Sequence, residues 1–126
     1  MLTTAPGCDL DVERGPDWLF VRVRNLDRRE PNATPLADRL WRLLQQHFTY
    51  RLVLELNEVQ VLDSALIGQL VQLSRWIEAH DGVLRLCGLS LCNRQVLHEC
   101  RLDDRLLPYE DREEAVMGHT HAARPR

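Results

Sequence analysis

The chain has 126 residues, a formal net charge of -3 and 44% hydrophobic residues. That is one domain's worth of chain, with enough apolar content for one core. All 16 basic residues are Arg, so Schiff-base and P-loop lysine chemistry are excluded, and the near-neutral balance gives no electrostatic footprint for nucleic acid.

Residues 8–13 alternate, with Cys8, Leu10 and Val12 on one face. Arg14-Gly15-Pro16-Asp17 reads as a turn, and Trp18 to Val23 alternates again through Leu19, Val21 and Val23, which predicts a β-hairpin. Asn25 to Thr34 is polar, contains Pro31 and Arg28-Arg29-Glu30, and reads as a solvated loop. Thr34-Pro35 predicts a helix start, with Thr34 as cap and Pro35 at the first helical position. Leu36, Leu40, Leu43, Leu44 and His47 follow at helical spacing, leaving Asp38, Arg39, Arg42 and Gln46 toward water.

Tyr50 to Leu56 predicts a strand, with Leu52, Leu54 and Leu56 inward and Glu55 on a partly open face. A second helix is predicted over residues 64–80, its stripe formed by Leu66, Leu70, Leu73 and Ile77 and widened by Ile67 and Val71. Asp81-Gly82 should end it, with Gly as the left-handed stop. Val83 to Cys87 predicts a short strand. Ser90 is expected to cap a third helix with Val96, Leu97 and Cys100 inward, and Leu106 to Tyr109 reads as an edge strand, where proline is tolerated. Glu110 to Val116 offers one or two more helical turns on an acidic, solvated face. The polar segment 118–126 carries no pattern and is expected to be a disordered tail, leaving 1–117 as the folded domain. The order ββαβαβα, with a short β and a last α, implies crossovers and parallel neighbours in an α/β fold.

Four cysteines (Cys8, Cys87, Cys92, Cys100) form no C-x-x-C pair, so they read as reduced thiols rather than as a zinc site. With neither a leader nor a membrane span in the pattern, the expectation is a cytoplasmic chain. No G-x-S-x-G, H-E-x-x-H or G-x-x-x-x-G-K occurs. His119 and His121 fall in the tail, His47 and His80 at helix ends, and His98 beside Glu99 on solvated surface. Neither a catalytic residue, a metal ligand nor a cofactor is therefore assigned. The remaining feature is Val59-Gln60-Val61-Leu62-Asp63-Ser64-Ala65-Leu66-Ile67-Gly68, where an apolar segment meets Asp-Ser and then a long amphipathic helix. Asp63 or Ser64 can be simply the N-cap. Equally, a hydroxyl at a helix N-terminus is well placed to carry a phosphate, because free N–H groups and the positive dipole end face it.

Arg51-Leu52-Val53-Leu54-Glu55-Leu56 leading into Leu62-Asp63-Ser64-Ala65, then the helix to Asp81-Gly82 and Val83 to Leu89, resembles the STAS domains of anti-sigma factor antagonists. Arg101-Leu102-Asp103 to Leu107 and Tyr109-Glu110-Asp111 resemble that family's last helix and strand, and the likeness spans roughly residues 8–117. It implies a STAS-like (SpoIIAA-like) single domain, a small mixed β-sheet with helices packed mainly on one face. It also implies a binding protein rather than an enzyme, working in a partner switch. The unphosphorylated form would grip an anti-sigma factor that is a serine kinase of the histidine-kinase-like ATPase type; that kinase would phosphorylate Ser64, and a serine phosphatase would restore it. By the same resemblance Asp27, Asp63, Ser64, Ala65, Leu66 and Ile67 form the partner surface. Leu66 stands where the family has a small residue, Ala65 replaces a frequent second serine, and the loop after Val23 lacks the usual Gly. Two other readings stay open: a fixed STAS adaptor of a lipid-import ATPase, in which Ser64 is only a cap, and a small-molecule sensor or enzyme.

Overall fold

The computed structural model describes residues 1–27 and 29–118. Strands β1 (Leu2–Ala5), β2 (Cys8–Arg14) and β3 (Leu19–Arg24) precede α1 (Leu36–Gln46), β4 (Arg51–Glu55) and α2 (Ser64–Ala79). Then come β5 (Val83–Cys87), α3 (Leu91–Glu99), β6 (Pro108–Tyr109) and α4 (Arg112–Met117). One six-stranded sheet results, its spatial order equal to the chain order. β1, β2 and β3 are antiparallel, while β3, β4, β5 and β6 run parallel. Each parallel step requires a crossover, and α1, α2 and α3 supply them.

The main core lies on one face of the sheet. Cys8, Leu10 and Val12 from β2, Leu19, Val21 and Val23 from β3, and Leu52 and Leu54 from β4 meet Leu40 and Leu44 of α1 and Leu70, Leu73 and Ile77 of α2. Leu52, Leu54 and Leu56 are at most 1% exposed, as the alternation predicts. The other face is not open. α4 covers it, and Trp18, Phe20, Val53, Cys87, Tyr109 and Ala115 form a second cluster there. Glu55, expected at a partly open face, is therefore buried. Its charge is answered by Arg22 at 2.9 Å and by Arg112 of α4 at 2.5 Å, as a buried carboxylate requires.

Several local expectations are corrected. β1 carries no alternating signal, because its side chains are mostly exposed and it is defined by backbone pairing to β2. Thr34 does not cap α1: the N-cap position falls to Pro35, whose side chain has no acceptor to offer, and the Gln69 Oε1 of α2 accepts from the Ala37 N–H at 3.0 Å instead. Arg39 is buried rather than solvated, donating to the Cys8 carbonyl at 2.6 Å. Cys100 is exposed, because α3 ends there and the chain turns left-handed at Arg101. The left-handed stop of α2 is Asp81 (φ 58), not Gly82. Gly82 is needed for close approach: a Cβ there would lie 2.2 Å from the Tyr50 carbonyl oxygen. His98 is not bare surface but hydrogen-bonds Asp103 at 2.9 Å. The expected tail beyond Gly118, with His119 and His121, lies outside the described residues.

Candidate functional site

The parallel strands β3 and β4 end side by side, and the segments leaving them build the site. After Arg24 the chain turns at Asn25, left-handed at φ 53, whose Nδ2 donates to Asp9 at 2.7 Å. The Asp27 N–H then donates to the Gly7 carbonyl at 2.7 Å, and Asp27 Oδ1 accepts from the Arg29 N–H at 3.0 Å. This tight side-chain turn fixes an exposed carboxylate at the rim.

From β4 the chain runs through a loop that buries Leu56, Val59 and Leu62. Asn93 of α3 holds this loop. It is 2% exposed; its Nδ2 donates to the Val59 carbonyl at 3.1 Å, and its Oδ1 accepts from the Leu62 N–H at 3.0 Å. Sequence reasoning missed Asn93, since nothing but its place in the first turn after Ser90 marks it. Asp63 then adopts an extended conformation (φ -84, ψ 173), and its Oδ1 accepts from the Leu66 N–H at 2.9 Å. Asp63 is thus the N-cap of α2, and Ser64 is the first helical residue, exposed at the surface.

Asp27, Asp63, Ala65 and Leu66 line one cleft of about 480 Å³, together with Leu26, Glu30, Pro35 and Gln69. Ser64 and Ile67 are not among its lining residues; Ser64 lies beside it, between Asp63 and Ala65. Ile67 is half-buried against the core, and Leu66 is only 6% exposed. Leu66 therefore holds the helix down more than it faces outward. Asp27, Glu30 and Asp63 give the cleft an acidic character, and none of the described lining residues is basic. Cys8 also lines it, but burial pushes its thiol pKa up despite the nearby Arg39, which makes it a poor nucleophile. The described histidines lie at the C-terminal ends of α1, α2 and α3, so none is placed to deprotonate Ser64. Among the described residues no group of three or more His, Cys, Asp or Glu side chains is arranged to hold a metal ion, and no helix is long and apolar enough to cross a membrane.

The STAS-domain family model matches residues 30–115, well over half of the chain. The chain belongs to the STAS-domain family. No curated protein sequence matches it. Its fold is similar to that of an anti-sigma-factor antagonist (STAS) domain protein from Planctomyces limnophilus, at 20% identity and TM-score 0.71, covering 86% of this chain and 96% of the other. RsbS from Moorella thermoacetica, solved with a serine-to-glutamate substitution, matches at 16% identity and TM-score 0.70, covering 86% and 92%. The Bacillus cell fate determinant SpoIIAA, solved in its phosphorylated form, matches at 18% identity and TM-score 0.63, covering 86% and 97%. At these identities the likeness is one of fold, and it accounts for the mixed STAS sheet with α1, α2 and α3 in its crossovers.

Proposed function

We propose that this STAS domain is a phosphorylation-switched binding protein of the anti-sigma factor antagonist type, with Ser64 as its phosphoacceptor. The observation that carries this reading is the division of labour at the head of α2. Asp63 makes the cap, so the exposed Ser64 is not needed as an N-cap. That two proteins of the same fold are known in a phosphorylated form and with a serine-to-glutamate substitution supports the reading.

The partner is a cytoplasmic serine kinase of the histidine-kinase-like ATPase type that also acts as an anti-sigma factor, and a serine phosphatase reverses the modification. Asp27, Asp63, Ser64, Ala65, Ile67 and the exposed edge of Leu66 form the contact surface. Val61 is 56% exposed in the loop leading to Asp63, and Leu91 is 83% exposed at the head of α3, which Asn93 ties to that same loop. On this reading the site is a binding surface that offers its exposed Ser64 hydroxyl to be modified by the partner. Phosphorylation adds about -1.5 to -2 charges at neutral pH. The helix dipole offsets only about half a charge, and Asp27, Glu30 and Asp63 already make the neighbourhood acidic. A partner fitted to the neutral hydroxyl must then desolvate an unpaired dianion, which costs several kcal/mol.

The test is calorimetric titration of the kinase-like partner with wild type, Ser64→Ala and Ser64→Asp. Ser64→Ala should bind as wild type and take up no phosphate on incubation with kinase and ATP, and Ser64→Asp should bind more weakly. Equal affinity of all three, with no phosphate on wild-type Ser64, would reject the switch in favour of a fixed adaptor.

A further inference from the structure

A second cleft, of about 260 Å³, lies between the β1–β2 hairpin and α1, lined by Thr3, Ala5, Leu10, Thr34, Arg39, Arg42, Leu43 and Gln46. Its polar lining is made of two guanidiniums, two hydroxyls and one amide, and it contains no carboxylate. Arg39 is 8% exposed, and none of the ion pairs among the described residues involves it. Among the described residues it donates to neutral acceptors: the Cys8 carbonyl at 2.6 Å, the Cys8 thiol at 3.1 Å and the Thr3 carbonyl at 3.5 Å. Buried charges are ordinarily paired. Here the nearby strand cannot supply the partner. On β2, Leu10 faces α1, and strand alternation sends Asp9, Asp11 and Glu13 to the opposite face. Asp9 and Asp11 are engaged there with Asn25 and Arg24, and Glu13 with Arg112. Arg42, one turn along α1, brings a second positive charge to the same cleft, and it too is in none of the ion pairs among the described residues.

We propose that this cleft is an anion site that takes the phosphate group of a small ligand, with Arg39 and Arg42 as its charged donors and Thr3 and Thr34 as hydroxyl donors. Two guanidiniums and two hydroxyls suit the three terminal oxygens of a phosphate better than the two of a carboxylate, and guanidinium–phosphate hydrogen bonds are among the stronger ones in proteins. Ala5, Leu10 and Leu43 leave room beside the phosphate for a short apolar substituent. The site is separate from Ser64 and stands whether or not that residue is modified.

Inorganic phosphate, with acetate and chloride at equal ionic strength as controls, is titrated into the unphosphorylated full chain and followed by amide and arginine Nε NMR signals. Phosphate should give saturable shifts at Thr3, Thr34, Gln46, Arg39 and Arg42. Arg42→Gln, at an exposed position, should fold normally and weaken phosphate about tenfold, the loss expected for one charge-assisted hydrogen bond. Arg39→Gln should abolish saturation if it folds, and the Arg42→Gln result decides the matter if it does not. Shifts that fail to saturate, that acetate or chloride reproduces, that centre on Ala65 and Leu66 instead, or that survive Arg42→Gln unchanged would overturn the proposal.

Discussion

Asn93 on α3 donates its side-chain amide to the carbonyl of Val59, thirty-four positions earlier in the chain, across a 3.1 Å hydrogen bond. With the companion bond from the Leu62 N–H, one buried side chain secures both ends of the loop that presents Asp63 and Ser64. A buried carbonyl and N–H left without partners cost about 1–3 kcal/mol each.

Asn93→Ala is therefore expected to lower stability by about 2–4 kcal/mol in urea denaturation. It should also speed amide exchange at Val61 to Ala65 more than in β4 or β5. Asn93→Asp should fare no better, because a carboxylate keeps the acceptor for Leu62 but repels the Val59 carbonyl.

Asp63 and Ser64 are adjacent yet should respond differently to alanine. Asp63 is the cap of α2, so Asp63→Ala should cost about 0.5–2 kcal/mol. Ser64→Ala should fall within about 0.5 kcal/mol of wild type, as for an exposed residue without a structural bond. Parallel denaturation curves check this; a larger loss for Ser64→Ala would assign the hydroxyl a structural duty.

The helices α1, α2 and α3 each hand over to the next segment through a left-handed residue that is not glycine: Phe48 (φ 55), Asp81 (φ 58) and Arg101 (φ 58). For Phe48, 93% exposed, the strain is not repaid by packing. Phe48→Gly should raise stability by about 1 kcal/mol, since glycine adopts this conformation without the Cβ clash. An upward shift of the urea midpoint at unchanged slope is the expected reading.

His98 and Asp103 form an exposed pair. The hydrogen bond to Asp103 raises the His98 pKa above 6.5, and the same bond lowers that of Asp103 below 3.8. The His98 contribution is fully present below its unfolded value and is lost as pH rises through the raised folded value. That of Asp103 is present above its unfolded value and is lost as pH falls through the depressed folded one. The pair thus helps most in the acidic window between the two groups. An NMR titration of the His98 ring should give a midpoint above 6.5 that Asp103→Asn moves back down.

Periodicity made the main core legible: Cys8 to Val12, Leu19 to Val23, Leu52 to Leu56 and the stripes of α1 and α2 all face where their spacing sends them. What the sequence hid depended on a second element arriving. Glu55 reads as half-exposed until α4 is laid over it. Arg39 reads as solvated until the β1–β2 hairpin closes on it. Gln69 sits in the middle of α2 with nothing to mark it as the acceptor for the first turn of α1. The site divides the same way. Asp63-Ser64 stands out as a local cap pattern, whereas Asn93 and the shared cleft of Asp27 and Asp63 exist only in three dimensions.

Because the six strands lie in the sheet in the order in which they occur along the chain, each can pair with a neighbour already present. No pairing between neighbours then has to close more than one hairpin or one crossover, which limits the entropic cost of each step. The face bearing Trp18, Phe20 and Val53 is the exception, since Tyr109 and Ala115 close it from the last two elements. During synthesis on the ribosome, that aromatic surface stays open until those elements emerge, leaving it exposed to other chains until then.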